Sequence, residues 1–353
     1  MSVVLITGSC GLVGAESTKF FCEKGFDVVG VDNNYRNFFF GSDGDTTWVK
    51  KNLMKKYKNY VHFNSNTQNY SNLEKIFRKY KKSIKLIIHS AAQPSHDLAK
   101  IIPMVDFKTN AESTINLLEL TKKFCPESPF IFMSTNKVYG DNPNKIKLIE
   151  NKKRYTTSKG SKYRNGFNEE FSVDNTLHSL FGASKLSADI MTQEYGKYFG
   201  MKTVAFRGGC LTGPNHSGTV LHGFLSYLMK CTVTSKKYTI FGYKGKQVRD
   251  NIHSKDLIEA FYEYYKKPTS GEAYNMGGGI ENNCSMLEAI EMCENITGKK
   301  LSYDYVSENR KGDHKWYISD LSKFKSHYPK WRQKYTIENM LEEIALKNIQ
   351  RWS

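Results

Sequence analysis

A doubly wound parallel α/β sheet with a smaller C-terminal lobe is the fold that three features of the 353-residue chain predict. Short apolar segments alternate with amphipathic helical stretches through its first half. A glycine-rich turn separates the first apolar segment from the first helical one. An acidic residue closes the second apolar segment.

Val3–Thr7 is an uninterrupted apolar run ending in threonine, which reads as a buried strand. Gly8-Ser9-Cys10-Gly11-Leu12-Val13-Gly14 follows, and a helix is expected over residues 16–23. A strand, glycine turn and helix in this order bring peptide N–H groups and the positive end of the helix dipole to a dinucleotide pyrophosphate. The second strand, expected over 28–32, ends in Asp32, 18 positions after Gly14. A carboxylate there accepts from both hydroxyls of an adenosine ribose and repels a 2′-phosphate, so the predicted cofactor is NAD rather than NADP. The cofactor contacts expected from this unit are Gly8, Cys10, Gly11, Leu12, Val13, Gly14, Asp32 and Asn33. The unit is of the Rossmann type.

Further strands are expected over 61–63, 86–89, 129–134 and 203–207, with helices over 72–80, 110–124 and 185–199. Beyond about residue 208 the alternation loosens into loops such as Gly208-Gly209 and Gly277-Gly278-Gly279, with helices over 221–230, 255–265 and 286–296. Residues 1–207 are therefore assigned to the dinucleotide-binding domain, with lobe segments near 140–175, and 208–353 mainly to a substrate-binding lobe.

Composition narrows the class. A hydrophobic share of 39% with 13% aromatics is enough for a packed core, while no apolar run approaches the roughly 18 residues of a membrane span. Because the first core strand is expected within the first few residues, no signal peptide is expected. Seven cysteines, without CxxC pairs or a His/Cys rhythm, predict a reducing compartment, the cytoplasm, and no bound metal. The net charge of +17 comes from dispersed lysines, among them Lys50-Lys51, Lys55-Lys56 and Lys81-Lys82. No basic stripe interleaved with aromatics is present, so neither nucleic acid nor membrane is expected as a partner.

Six motifs carry a resemblance: residues 7–14, Ala91-Ala92-Gln93, Ser134-Thr135-Asn136-Lys137-Val138-Tyr139-Gly140-Asp141, Gly166-Phe167-Asn168-Glu169, Gly245-Lys246-Gln247-Val248-Arg249-Asp250 with His253, and Tyr274-Asn275-Met276-Gly277-Gly278. On these the chain resembles the extended short-chain dehydrogenase/reductases, the NAD-dependent epimerase/dehydratase family, and within it the CDP-paratose 2-epimerases. The resemblance implies bound NAD, a nucleotide-diphosphate sugar as substrate, and a homodimer built on the helices expected over 110–124 and 185–199. Position by position it adds Asn66, Thr67, Ala91, Ala92, Gln93, Asn110, Ser134, Lys185 and Gly208 to the cofactor contacts. It assigns Thr135, Asn136, Lys137, Arg249, Arg310 and Asp313 to the substrate, the two arginines suiting a diphosphate by their planar forks. Ser95, Tyr163 and His222 are further pocket candidates.

In such enzymes a Ser or Thr, a Tyr and a Lys four residues later form the redox centre. Here these positions hold Thr135, Phe181 and Lys185, within His178-Ser179-Leu180-Phe181-Gly182-Ala183-Ser184-Lys185. Phenylalanine cannot take the hydroxyl proton that leaves as hydride is transferred, a task worth roughly 10²–10⁴ in rate. Candidate replacement bases are a desolvated Lys185, His178 on a shared helix face, Thr135 and Cys210. Three accounts of Phe181 stand open: a native residue served by another base, an engineered Tyr→Phe change that traps substrate, and a protein that binds without chemistry. The activity implied is epimerisation by transient oxidation of a sugar carbon and return of hydride to the opposite face. The alternatives are a dehydrogenase or dehydratase acting on another nucleotide sugar, and a silent NAD- or nucleotide-sugar-binding protein.

Overall fold

The computed structural model describes residues 2–220 and 222–352. In chain order the first 138 residues hold β1 (Val3–Thr7), α1 (Leu12–Glu23), β2 (Asp27–Val31), α2 (Tyr35–Phe40), α3 (Thr47–Lys56), β3 (Tyr60–Phe63), α4 (Tyr70–Tyr80), β4 (Ile84–His89), α5 (His96–Ile101), α6 (Pro103–Phe107), α7 (Ser113–Phe124) and β5 (Phe130–Thr135). The hairpin strands β6 (Ile149–Glu150) and β7 (Tyr155–Thr156) follow, then α8 (Ser179–Phe199), β8 (Thr203–Gly208), β9 (Cys210–Thr212), α9 (Phe224–Thr234), β10 (Tyr238–Phe241) and β11 (Val248–His253). The remainder comprises α10 (Ser254–Lys266), β12 (Glu272–Met276), β13 (Asn283–Ser285), α11 (Met286–Thr297), β14 (Tyr303–Val306), β15 (Trp316–Tyr317), α12 (Ser322–His327) and α13 (Ile337–Trp352).

Two compact units divide these elements. The first is Met1–Val138, Leu180–Arg207 and Ile258–Tyr274, and the second is Tyr139–Ser179, Gly208–Leu257 and Asn275–Ser353.

The first unit is built on a seven-stranded parallel sheet in the order β12-β8-β5-β4-β1-β2-β3. Strand β1 is buried at every position, as a strand covered by helices on both faces must be. Leu73, Ile76 and Phe77 of α4 and Leu117, Leu118 and Leu120 of α7 pack with Val3, Leu5 and Val29 in one core. Each such side chain contributes about 1.5–3 kcal/mol on burial. Because β1 pairs with β2 on one side and with β4 on the other, strand order reverses at β1. A doubly wound sheet opens a ligand crevice at that reversal, beyond the carboxyl ends of its strands.

In the second unit β11 is central, pairing with β13 antiparallel and with β15 and β9 in parallel. Helices α9, α11 and α13 bury Leu225, Leu228, Ile290, Leu341 and Ile344 around Ile240 of β10.

Expected and observed elements differ at informative places. Helix α1 starts at Leu12, directly out of the glycine turn, rather than at 16. The helix expected from 110 begins as a π-helical turn, Lys108–Glu112, before α7. Helix α8 starts at Ser179, six residues earlier than expected. Of the helix expected over 221–230, Leu221 lies outside the described residues, and α9 runs from Phe224. Strand β12 was not expected at all. It lies beside β8 at the sheet edge, so residues 258–274 join the first unit although they follow residue 207.

Candidate active site

The glycine turn leaves no space for side chains on its inner face. Gly8 has φ +67°, and a Cβ there would lie 2.7 Å from the Ala91 backbone N. A Cβ on Gly14 would fall 2.0 Å from the Gly8 carbonyl oxygen, so only glycine lets α1 start this close to β1. A Cβ on Gly11 would meet nothing nearer than 3.4 Å, so this side of the turn is open. Helix α1 has no side-chain cap and no acidic residue in its first turn, which leaves Leu12, Val13 and Gly14 at an uncompensated positive helix end. The Cys10 side chain is buried and burial pushes its thiol up to about 12, so it is inert. Its backbone matters more: the Cys10 N–H donates to Asp32 Oδ2 at 2.9 Å, and the Asn34 N–H to Oδ1 at 2.7 Å. Asp32 stands one residue past β2, flanked by half-buried Asn33. A carboxylate offers about four acceptor sites, so these two bonds leave capacity for ribose hydroxyls. An open glycine turn, an uncapped helix end and a fixed carboxylate at the switch point fit a dinucleotide.

The residues expected around the rest of the dinucleotide are held by their own chain. Asn66 Oδ1 accepts from the Gln68 N–H at 2.9 Å, and buried Thr67 donates to Ser113 Oγ at 2.9 Å. Half-buried Ala91 and Ala92 lie between β4 and the buried Gln93. Gln93 Nε2 donates to Asp106 Oδ1 at 2.7 Å and to the Ser95 carbonyl at 2.8 Å, and Gln93 Oε1 accepts from the Ser95 N–H at 2.5 Å. Asn110, carried into the interior by the π turn, donates to Asp106 at 3.1 Å and to Ser184 Oγ at 3.0 Å. Ser184 in turn donates to Asp106 Oδ2 at 2.5 Å. Desolvation raises the pKa of Asp106 in spite of these donors. Sequence reading missed Asp106 and Ser184, because each looks like an ordinary helical polar residue until the network is seen.

On β5 and α8, Ser134 donates to Asp189 Oδ2 at 2.5 Å, and Asp189 also pairs with Arg207 at 2.9 Å, both of these partners being buried. The Ser134 hydroxyl is thus bound to the protein's own carboxylate. Thr135 is half-buried, its Oγ1 accepting from the Lys137 N–H at 3.3 Å, and Asn136 is buried beside it. Lys185 is 3% exposed and donates from Nζ to the Met133 carbonyl at 2.6 Å, with Nζ 4.1 Å from the centre of the Phe132 ring. Burial pulls its pKa down to about 7, although Asp189 and Asp106 favour the charged form. Phe181 is buried, and its ring meets that of His96 edge to face, with centroids 5.3 Å apart. His96 was not among the sequence candidates. His178 precedes α8, whose first residue Ser179 has φ +58°, so it does not share the helix face of Phe181, and its Nε2 contacts the Val173 carbonyl.

In the second unit, Arg249 of β11 donates from Nη2 to Asp313 Oδ1 at 2.6 Å and from Nη1 to the Val248 carbonyl at 2.8 Å. Burial opposes its charge, but Asp313 prevails and raises its pKa. The Asp313 N–H donates to the Arg310 carbonyl, placing Arg310 in the same turn. Gly208 closes β8, and half-buried Cys210 opens β9.

Comparison with known proteins agrees with the fold. The model of a family described as "NAD dependent epimerase/dehydratase family" matches residues 4–277. The chain is 29% identical over 327 residues to CDP-paratose 2-epimerase of Salmonella typhi, covering 91% of each. It is 28% identical over 355 residues to UDP-glucuronate 4-epimerase of Thermodesulfobacterium geofontis, covering 100% of this chain and 96% of that one. Among solved structures it is similar, with a TM-score of 0.80 and 23% identity, to a tyrosine-to-phenylalanine mutant of UDP-glucuronic acid 4-epimerase from Bacillus cereus, solved with UDP-4-deoxy-4-fluoro-glucuronic acid and NAD. That alignment covers 99% of this chain and 100% of the other.

Proposed function

Since the chain belongs to the NAD dependent epimerase/dehydratase family, we propose that it is an NAD-dependent nucleotide-sugar epimerase resembling CDP-paratose 2-epimerase. The observation that carries this reading is the open glycine turn wired to Asp32 at the strand-order reversal. The same unit contains Thr135 and Lys185.

Bound NAD supplies a reversible hydride acceptor. The N–H groups of residues 12–14 bind the pyrophosphate, Asp32 and Asn33 hold the adenosine ribose, Asn66 and Thr67 flank the adenine, and Ala91, Ala92 and Gln93 line the dinucleotide. Thr135 and Asn136 orient the reacting hydroxyl. Lys185, near neutrality in its proton affinity, holds the nicotinamide ribose and takes part in proton transfer. Arg249 and Arg310 serve the diphosphate. Asp313 already holds the fork of Arg249 in one orientation. A homodimer through α7 and α8 belongs to the same reading. It is supported by exposed Ile190 and Tyr198, about two turns apart on α8. A catalytically silent binder is the second reading, favoured by the missing oxygen at Phe181.

The protein loaded with NAD and given CDP-paratose is expected to convert it to CDP-tyvelose, followed by sugar proton NMR. Conversion of a different nucleotide sugar would keep the family chemistry and discard this substrate. No conversion, with no reduced cofactor in any mixture, would leave the silent binder.

A further inference from the structure

We propose that His96 is the general base of this site and does the work of the oxygen that Phe181 lacks; this rests on the epimerase reading above. Two separate observations support it. The first is contact: the His96 imidazole lies edge to face against the Phe181 ring, at 77° with 5.3 Å between centroids, so a titratable group borders the position a phenol would occupy. The second is the framework. Ser95 is bonded to Gln93 through both its backbone N–H and its carbonyl, and its hydroxyl caps α5 by accepting from the Leu98 N–H. Gln93 is bonded to Asp106, and Asp106 to Ser184. Ser184 Oγ also lies 3.0 Å from the Phe181 carbonyl oxygen, one turn back on α8. One buried network therefore holds both the residue before His96 and the turn that bears Phe181. Burying a carboxylate such as Asp106 is costly, and fixing the imidazole against that ring gives the expense a purpose.

Lys185 and His178 are poorly placed for direct contact with substrate. Lys185 is almost wholly buried and directed to the Met133 carbonyl. His178 lies before α8 and contacts the Val173 carbonyl. Imidazole is the side chain best suited to take and return a proton near neutrality.

The step balances. The sugar carbinol C–H gives hydride to oxidised NAD, its O–H proton passes to an imidazole nitrogen of His96, and the C–O bond becomes a carbonyl. After the ketose turns, hydride returns to the other face of the carbonyl carbon and the imidazolium gives the proton back to oxygen.

The experiment compares wild type, H96Q, F181Y and H96Q/F181Y. Each is tested with a panel of CDP-paratose, UDP-glucuronic acid and UDP-glucose, reading product by NMR and bound reduced cofactor by absorbance. H96Q is expected to lose 10²–10⁴-fold in turnover, with KM and NAD affinity within about 3-fold of wild type, and H96Q/F181Y to recover most of the loss. Carbethoxylation mapped by mass spectrometry gives a readout independent of turnover: the bound nucleotide sugar should protect His96 in wild type. Full activity in H96Q overturns the inference, as does a loss that tyrosine at 181 does not rescue, or a His96 modified equally with and without sugar. A wild type inactive on the whole panel instead overturns the epimerase reading, and the inference with it.

Discussion

Lys185 is a residue whose environment sets a measurable pH response. Its amine is buried against an aromatic ring with the Met133 carbonyl as hydrogen-bond partner, and its pKa falls to about 7. In the unfolded chain a lysine keeps its proton up to about pH 10.4. Between those values the unfolded chain binds more protons than the folded one, so stability rises with pH. Lys185→Met removes this dependence. The stability of wild type relative to the variant should climb by up to about 1.4 kcal/mol per pH unit from about pH 7.5 to about pH 10, measured by urea unfolding; parallel curves would refute the burial argument. Asp32 gives a second test at this scale. Asp32→Ser should weaken NAD binding about tenfold while raising affinity for NADP, read by titration calorimetry, because it removes both a ribose acceptor and the charge that repels a 2′-phosphate. Unchanged preference would mean the carboxylate does not face the ribose. Asp32 was legible from its spacing behind Gly14. Its bond to the Cys10 N–H was not, since any residue other than proline at position 10 would supply that donor.

Among the elements, α13 shows how charge anchors a terminal helix. Glu343 accepts from His253 Nε2 at 2.7 Å, Lys255 at 3.0 Å and Lys347 at 2.6 Å, and His253 stacks on Tyr335 with centroids 4.0 Å apart. Burial works against the carboxylate, but these donors outweigh it and hold its pKa far below the usual range. A depressed folded-state pKa adds stability that is present above the unfolded value, about 4.3, and is lost as pH falls below it. Glu343→Gln should cost about 1–3 kcal/mol at pH 7 and flatten the acid limb of the stability profile; an unaltered midpoint in denaturant at both pH values would count against the anchor. The sequence showed α13 no distinctive signal, since its apolar residues mix with charge throughout. It showed α1, α4 and α11 to within a few residues, because their apolar spacing and flanking turns are local. The π turn at 108–112 escaped detection for a different reason. It exists to bring Asn110 to Asp106 and Ser184, and Ser184 lies 74 positions away, so no local pattern records it.

For the whole molecule, the alternation of strands and helices and the glycine turn were enough to establish a doubly wound sheet, because parallel strands need helical crossovers and hence a repeating pattern. Strand β12 was hidden because its partner β8 lies more than sixty residues earlier and Glu272–Met276 carries little periodicity. At this scale the exposed residues of α8 predict association: gel filtration with light scattering should give the mass of two chains, and Ile190→Lys with Tyr198→Lys should give one. A wild-type monomer would remove α8 from any interface. The wiring of the glycine turn has a kinetic consequence as well. Asp32 grips Cys10 and Asn34 through bonds within the chain, so the dinucleotide meets a cradle that its own backbone braces. Stopped-flow association of NAD should therefore be a single exponential whose rate rises in proportion to concentration without reaching a plateau, the behaviour of a rigid docking rather than of a loop that must first be ordered.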